Sequence, residues 1–328
     1  MNGTSAGAVG TAGGLGGQGR PVQYLTLRVR SLLRASAEGK GPWHWAVNPY
    51  EGCEFGCTFC HARLDRKDFT DWRAFEQRIR VKTNAVQAWL HDVRAEEFED
   101  RQVVLGTSSE PWQQAEEHFR VTRSLLEAMA KSKGVDLRIN TRSSLIARDT
   151  DVLREIAKKG RVTVAFSVAS MDDKVNRLME PKAPSAFRRL AAMEALSRAG
   201  VAVGLVVSPV FPGLEPEELG LETLVHRAAN AGARFAGIRM MEFGPGQREL
   251  FLSHATQANP EAATRFRRII GRRPPTAEET AQVVKHFEAL CQSHGLIPLD
   301  AAAAELRKPE PRRSTAEQLA LFALDALA

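Results

Sequence analysis

Apolar positions along this chain fall into two alternating patterns. Short runs that are apolar at nearly every position occur at 103–105, 136–140, 162–167, 201–207 and 235–240, as expected of parallel strands covered on both faces. Between them, apolar residues recur every three or four positions, the period of a helix with one buried face. Within 116–131, Phe119, Leu125, Leu126 and Met129 mark such a face. Asp149 or Thr150 is placed to cap a helix that Gly160 ends, and a helix over 187–199 stops at Gly200. A strand near 43–47 and a helix around 83–97 complete six strand–helix units, spaced at roughly 25–40 residues. Six units fall short of the eight of a closed barrel. The predicted fold class is therefore α/β, an open (partial) TIM-like (β/α)6 barrel.

Beyond residue 246 the strand pattern stops. Thr276 and Glu279 have capping-box spacing at the start of a helix reaching about Ser293, and residues 311–328 read as an amphipathic tail. The expected organisation is a disordered Gly-rich leader over 1–20, a (β/α)6 core over 21–246 and a helical C-terminal extension over 247–328. The leader holds eight glycines and almost nothing to bury.

The chain has 328 residues, 43% hydrophobic and 26% charged. That length supports a sizeable core, and the composition excludes collagen, disulfide-dense mini-proteins and wholly disordered chains. No run approaches the ~18 apolar residues of a membrane span, and the N-terminal residues lack a secretory pattern. A reducing cytoplasmic setting, with no membrane partner, is the expectation. Forty-five Lys and Arg against 39 Asp and Glu give a net charge of +6. The two signs are interspersed, so the excess permits a polyanionic partner without requiring one. The run Arg265-Phe-Arg267-Arg268 with Arg272 and Arg273 fits either a phosphate-binding stripe or a solvated helix face.

Three of the four cysteines, Cys53, Cys57 and Cys60, lie within eight residues, with Cys291 far away. Clustered thiols in a reducing compartment point to a metal rather than to disulfides. Gly52 and Gly56 give the loop the backbone freedom to wrap a single centre. Soft thiolate ligands suit zinc, copper(I) or iron–sulfur clusters. Three thiolates would leave one iron of a four-iron cluster open; a zinc site completed by His61 is the alternative, and adjacency of Cys60 and His61 disfavours it. Cys291, beside Leu290 on the 276–293 helix, reads as a buried small hydrophobe.

Cys-x3-Cys-x2-Cys with Phe59 before the last cysteine resembles the signature of the radical S-adenosylmethionine (SAM) superfamily. The segment Asn48-Pro-Tyr-Glu-Gly-Cys53-Glu-Phe-Gly-Cys57-Thr-Phe-Cys60-His-Ala-Arg63 is similar to its spore-photoproduct-lyase-like branch, often labelled DNA repair photolyases. Further matches are Leu105 to Gln113, Asn140-Thr-Arg142-Ser143, Glu180-Pro-x-Ala-Pro184 and Val207 to Gly213. Together they span roughly residues 44–290.

The resemblance implies a [4Fe-4S] cluster held by Cys53, Cys57 and Cys60, with SAM chelating the open iron. Reductive cleavage of SAM would give a 5′-deoxyadenosyl radical that abstracts hydrogen from a substrate, with electrons from a low-potential donor of flavodoxin or ferredoxin type. It implies Phe59 against the adenine, Ser108 and Glu110 near the SAM amine, Arg142 at the SAM carboxylate in place of the branch's lysine, and Ser167 at the ribose. Nucleic acid is the substrate that the branch label suggests; a protein side chain or small metabolite, or a non-catalytic thiolate–metal role, are the alternatives. Spore photoproduct lyases return hydrogen from a cysteine at the second strand's end. Here that place is Gly106, and no cysteine lies between residues 61 and 290.

Overall fold

The structure, a computed structural model, describes residues 21–35, 45–64, 74–95, 102–132, 134–210, 220–243, 246–258, 260–271, 276–299 and 301–302. The expected leader over 1–20 and the tail over 311–328 lie outside these residues. Eleven strands are described: β1 (Gln23–Leu27), β2 (Arg34–Ala35), β3 (Trp45–Val47), β4 (Tyr50–Glu51), β5 (Arg78–Lys82), β6 (Gln102–Leu105), β7 (Asp136–Thr141), β8 (Arg161–Val168), β9 (Ala202–Val210), β10 (Phe235–Met240) and β11 (Ile297–Pro298).

Eight of them form one sheet in the order β11-β10-β9-β8-β7-β6-β3-β2. Every pairing is parallel except β2 with β3. The ends β11 and β2 do not meet, so the sheet is open; β6–β10 are the strands the five apolar runs predicted, and β3 is the strand expected near 43–47. β6 is buried along its whole length, and β7 and β8 very nearly so, as the near-continuous apolar runs require. Helices Val121–Lys131, Thr150–Lys159, Ala186–Arg198 and Leu221–Asn230 bury Leu125, Leu153, Leu196 and Leu224 in one core with Leu105, Leu137, Phe166 and Val203. Each fully buried side chain of this size contributes roughly 1.5–3 kcal/mol. Two smaller clusters are separate from this core: Val22, Tyr24, Tyr50, Ile79, Val81 and Ala115 around the N-terminal strands, and Ala165, Val206, Phe235, Leu299 and Ala302.

Four features depart from the sequence pattern. The expected helix over 116–131 is two helices, Ala115–Phe119 and Val121–Lys131, broken at Arg120 with φ +50°. The buried Glu116 carboxylate accepts from Thr122 N and Arg123 N at 2.9 and 3.0 Å, capping the second helix and competing with continuous helical pairing. Asp149 makes no capping bond to the helix that follows it; its side chain instead accepts from Trp112 Nε1, Arg123 and Arg148. A strand, β11, follows residue 246, where helices alone were expected. Finally, β1, β5 and β4 form a separate three-stranded sheet, which no apolar run announced.

Other signals hold. The Thr276 hydroxyl accepts from Glu279 N at 3.2 Å and the Glu279 carboxylate from Thr276 N at 2.8 Å, a complete capping box for helix Ala277–Ser293. Cys291 is buried in the main core. In helix Pro260–Gly271, Phe266 packs on Phe251 while Arg267 and Arg268 are exposed; Arg272 and Arg273 lie outside the described residues. Among the described residues no helix is long and apolar enough to cross a membrane.

Candidate functional site

The cysteine loop follows β3 and β4 and is fixed by its own sequence. Gly52 and Gly56 have φ +85° and +67°, and a Cβ on Gly52 would stand 2.8 Å from the Phe75 carbonyl oxygen, so both turns need glycine. Cys53 N donates to Phe75 O at 2.9 Å. Gln113 donates to Gly52 O and accepts from Glu54 N. Thr58 donates through both its amide and its hydroxyl to Met179 O, and Lys182 N donates to Phe55 O. The loop is thus held from the β6 side by Gln113 and from the far side by the turn over residues 179–184.

The three cysteines are half-buried and line a cavity of about 640 Å³ that residues of β3 and β7–β10 also border. Phe59, Ser108, Glu110, Arg142 and Ser167 border the same cavity, so every expected site residue is gathered there. Burial pushes the Cys53 thiol up to about 12, opposed by the backbone amides of Phe55 and Glu110. Burial, then the nearby Glu180 carboxylate, raises the Cys57 thiol well above its usual range, with Arg142 opposing. Among the described residues, no three His, Cys, Asp or Glu side chains already converge on a single metal ion. Three thiols at the wall of a cavity match the donor chemistry of an iron–sulfur cluster with one open iron.

The loop after β6 supplies Ser108 and Glu110. Asn48, just after β3, accepts from the amides of Thr107 and Ser108, both at 3.0 Å, and donates to Thr107 Oγ1. Glu110 accepts from Thr141 Oγ1 at 2.7 Å, Arg142 N at 2.8 Å and Trp112 N at 3.1 Å. Burial raises its pKa, and these donors pull it back. Arg142 sits with its guanidinium 5.3 Å from the Phe59 ring centroid, and its Nε donates to Glu180 Oε1 at 2.7 Å. Its guanidinium is therefore already ion-paired, which the sequence did not announce. Ser167 is buried at the end of β8, its carbonyl accepting from Arg189 at 2.7 Å.

Sequence reasoning assigned no role to Asn48, Glu180 or Arg189, nor to Asn140, Ser208 and Arg239 on the cavity wall. The signal for Arg189 was available: a lone arginine on the apolar face that Leu190, Ala192, Met193 and Leu196 define. The cavity-wall polar residues Asn140 and Ser208 fall at strand ends.

An open parallel α/β sheet with a thiol-lined cavity at the strand ends defines a partial-barrel cofactor enzyme. The family model "Radical SAM superfamily" matches residues 47–221, and the chain belongs to that superfamily. It is a radical SAM enzyme, and enzymes of this family use a [4Fe-4S] cluster and SAM. Its relatives include Rv2578c of Mycobacterium tuberculosis, 32% identical over 263 residues that cover 78% of this chain and 77% of that one. MJ0683 of Methanocaldococcus jannaschii is 25% identical over 172 residues, covering 52% and 61%. A spore photoproduct lyase mutant with bound AdoMet and dinucleoside spore photoproduct superposes with TM-score 0.62 at 16% identity, covering 84% of this chain and 81% of that chain. At that identity the likeness shows the shared fold.

Proposed function

We propose that Cys53, Cys57 and Cys60 hold the [4Fe-4S] cluster and that SAM lies in the cavity between the cysteine loop and the ends of β6, β7 and β8. The observation that carries this reading is the convergence of three thiols, Phe59, Ser108, Glu110, Arg142 and Ser167 on one cavity. When bound, the cluster and SAM supply an electron and a 5′-deoxyadenosyl radical that abstracts hydrogen from the substrate. Phe59 offers an apolar face for the adenine, and Ser167 a hydroxyl for the ribose. Arg142 keeps donors beyond the one spent on Glu180 and suits the SAM carboxylate. Glu110 receives three hydrogen bonds on oxygens with about four acceptor sites, which leaves capacity for the SAM amine, with Ser108 beside it.

The substrate we propose is nucleic acid, taken in a reducing cytoplasm with electrons from a low-potential flavodoxin- or ferredoxin-type donor. The fold shared with a lyase solved on a dinucleoside photoproduct supports this class, and the net charge of +6 permits it without selecting it. The transformation differs from hydrogen return by a cysteine at the end of β6. Gly106 stands there with φ +88°, and an added Cβ would run into the Asn140 carbonyl oxygen.

The test is anaerobic incubation of the reconstituted, dithionite-reduced protein with SAM, followed by assay of 5′-deoxyadenosine. Wild-type protein is expected to exceed a Cys57→Ala variant that lacks the cluster; equal output would overturn the assignment. Retention on DNA and RNA columns that vanishes as salt rises is expected, and no binding at low salt would remove the nucleic-acid reading.

A further inference from the structure

Glu180 does not border the cavity, yet it is fully buried between two guanidinium groups. One carboxylate oxygen takes Arg142 Nε at 2.7 Å and the other takes Arg189. Arg189, itself fully buried, donates through its other two nitrogens to Pro184 O at 2.9 Å and Ser167 O at 2.7 Å. The turn that carries Glu180 is also stitched to the cysteine loop, through Met179 O to Thr58 and Lys182 N to Phe55 O. One carboxylate therefore links the end of β7, the end of β8 and the loop with the three thiols. Without Glu180 the fully buried Arg189 would be a buried cation lacking its carboxylate, which fixes the carboxylate in place, while Arg142, a quarter exposed, is held by it at the cavity wall.

We propose that Glu180 is a positioning residue: it holds the Arg142 guanidinium against Phe59 at the cavity wall, so that SAM affinity depends on a side chain SAM never touches. The inference rests on the reading that Arg142 meets SAM. Loss of Glu180 would let Arg142 swing away from Phe59, while the main-chain bonds from Thr58 and Lys182 keep the cysteine loop in place. Cluster loading would survive and SAM binding would not.

The experiment compares reconstituted wild type with Arg142→Ala, Glu180→Gln and the double variant. Iron per chain is measured, together with the Kd of S-adenosylhomocysteine by anaerobic calorimetry, a readout independent of turnover. Each single variant is expected to weaken binding about tenfold or more at wild-type iron content, tenfold being ~1.4 kcal/mol. The double variant is expected to lose no more than either single, because both act through one guanidinium. If Arg142→Ala binds normally, the assignment of Arg142 to SAM fails. If Arg142→Ala is weak while Glu180→Gln is normal, or if their losses add, the positioning role is overturned. Iron loss from folded Glu180→Gln also overturns it, since the carboxylate would then serve the loop. Should Glu180→Gln not fold, Glu180→Asp, which keeps the charge but withdraws it by one methylene, is judged by the same thresholds.

Discussion

Gly106 closes β6 and opens the loop carrying Ser108 and Glu110. Its amide donates to Val47 O at 3.2 Å, which ties β6 to β3. Its φ of +88° lies where a side chain is strained, and an added Cβ would collide with the Asn140 carbonyl oxygen and approach the Pro111 ring to 3.1 Å. The obstacle is backbone of the neighbouring strand β7, so it cannot rotate aside. For Gly106→Ala, the left-handed backbone costs about 1–2 kcal/mol and the overlap a further ~1–3 kcal/mol. The sum, about 2–5 kcal/mol, corresponds to a fall in Tm of roughly 3–12 °C for a domain of this size. Thermal melting followed by circular dichroism measures it. Gly106→Cys is expected to melt as low as Gly106→Ala, so a hydrogen-donating thiol cannot be grafted there without moving β6 and β7. A Gly106→Ala protein melting within about 1 °C of wild type would refute this account of the strand end.

Two further outcomes follow from individual residues. Arg120 is exposed at φ +50° and its side chain caps neither helix. Arg120→Gly is therefore expected to raise stability by about 0.5–1 kcal/mol in urea unfolding, and a loss would contradict the strain assignment. Burial pushes the Cys291 thiol from 9.0 up to about 12. Between those values the unfolded chain releases a proton that the folded chain keeps, so stability present below pH 9 is lost as pH rises toward 12. Cys291→Ala should flatten this alkaline decline, measured by denaturant titration at several pH values, and should still form 5′-deoxyadenosine. An unchanged slope, or a dead variant with full iron content, would overturn the packing role.

The division between sequence and structure is clearest at the cysteine loop. Cysteine spacing, the two glycines and Phe59 lie within nine residues, from Gly52 to Cys60, so local chemistry alone marked them. Five of the six parallel strands were equally legible as near-continuous apolar runs, most clearly β6, β7 and β8, which are buried on both faces. The split helix at Arg120 was not, since its cause is a buried carboxylate whose partners include Tyr50 and Arg148, 66 and 32 residues away. Strands β1, β4 and β5 escaped notice because short mixed strands alternate too briefly to show a period.

Sequence by itself determined the fold class, the thiol trio and the strand ends from which the cavity is built, since periodicity and spacing are local properties. Tertiary structure alone decided that Arg142 is already paired, that Glu180 and Arg189 join two strand ends to the cysteine loop, and that Asn48 holds the Ser108 loop. Those are contacts between residues 9 to 60 positions apart. Their energy comes from excluding water around paired charges and amides, and no single segment of chain carries that information.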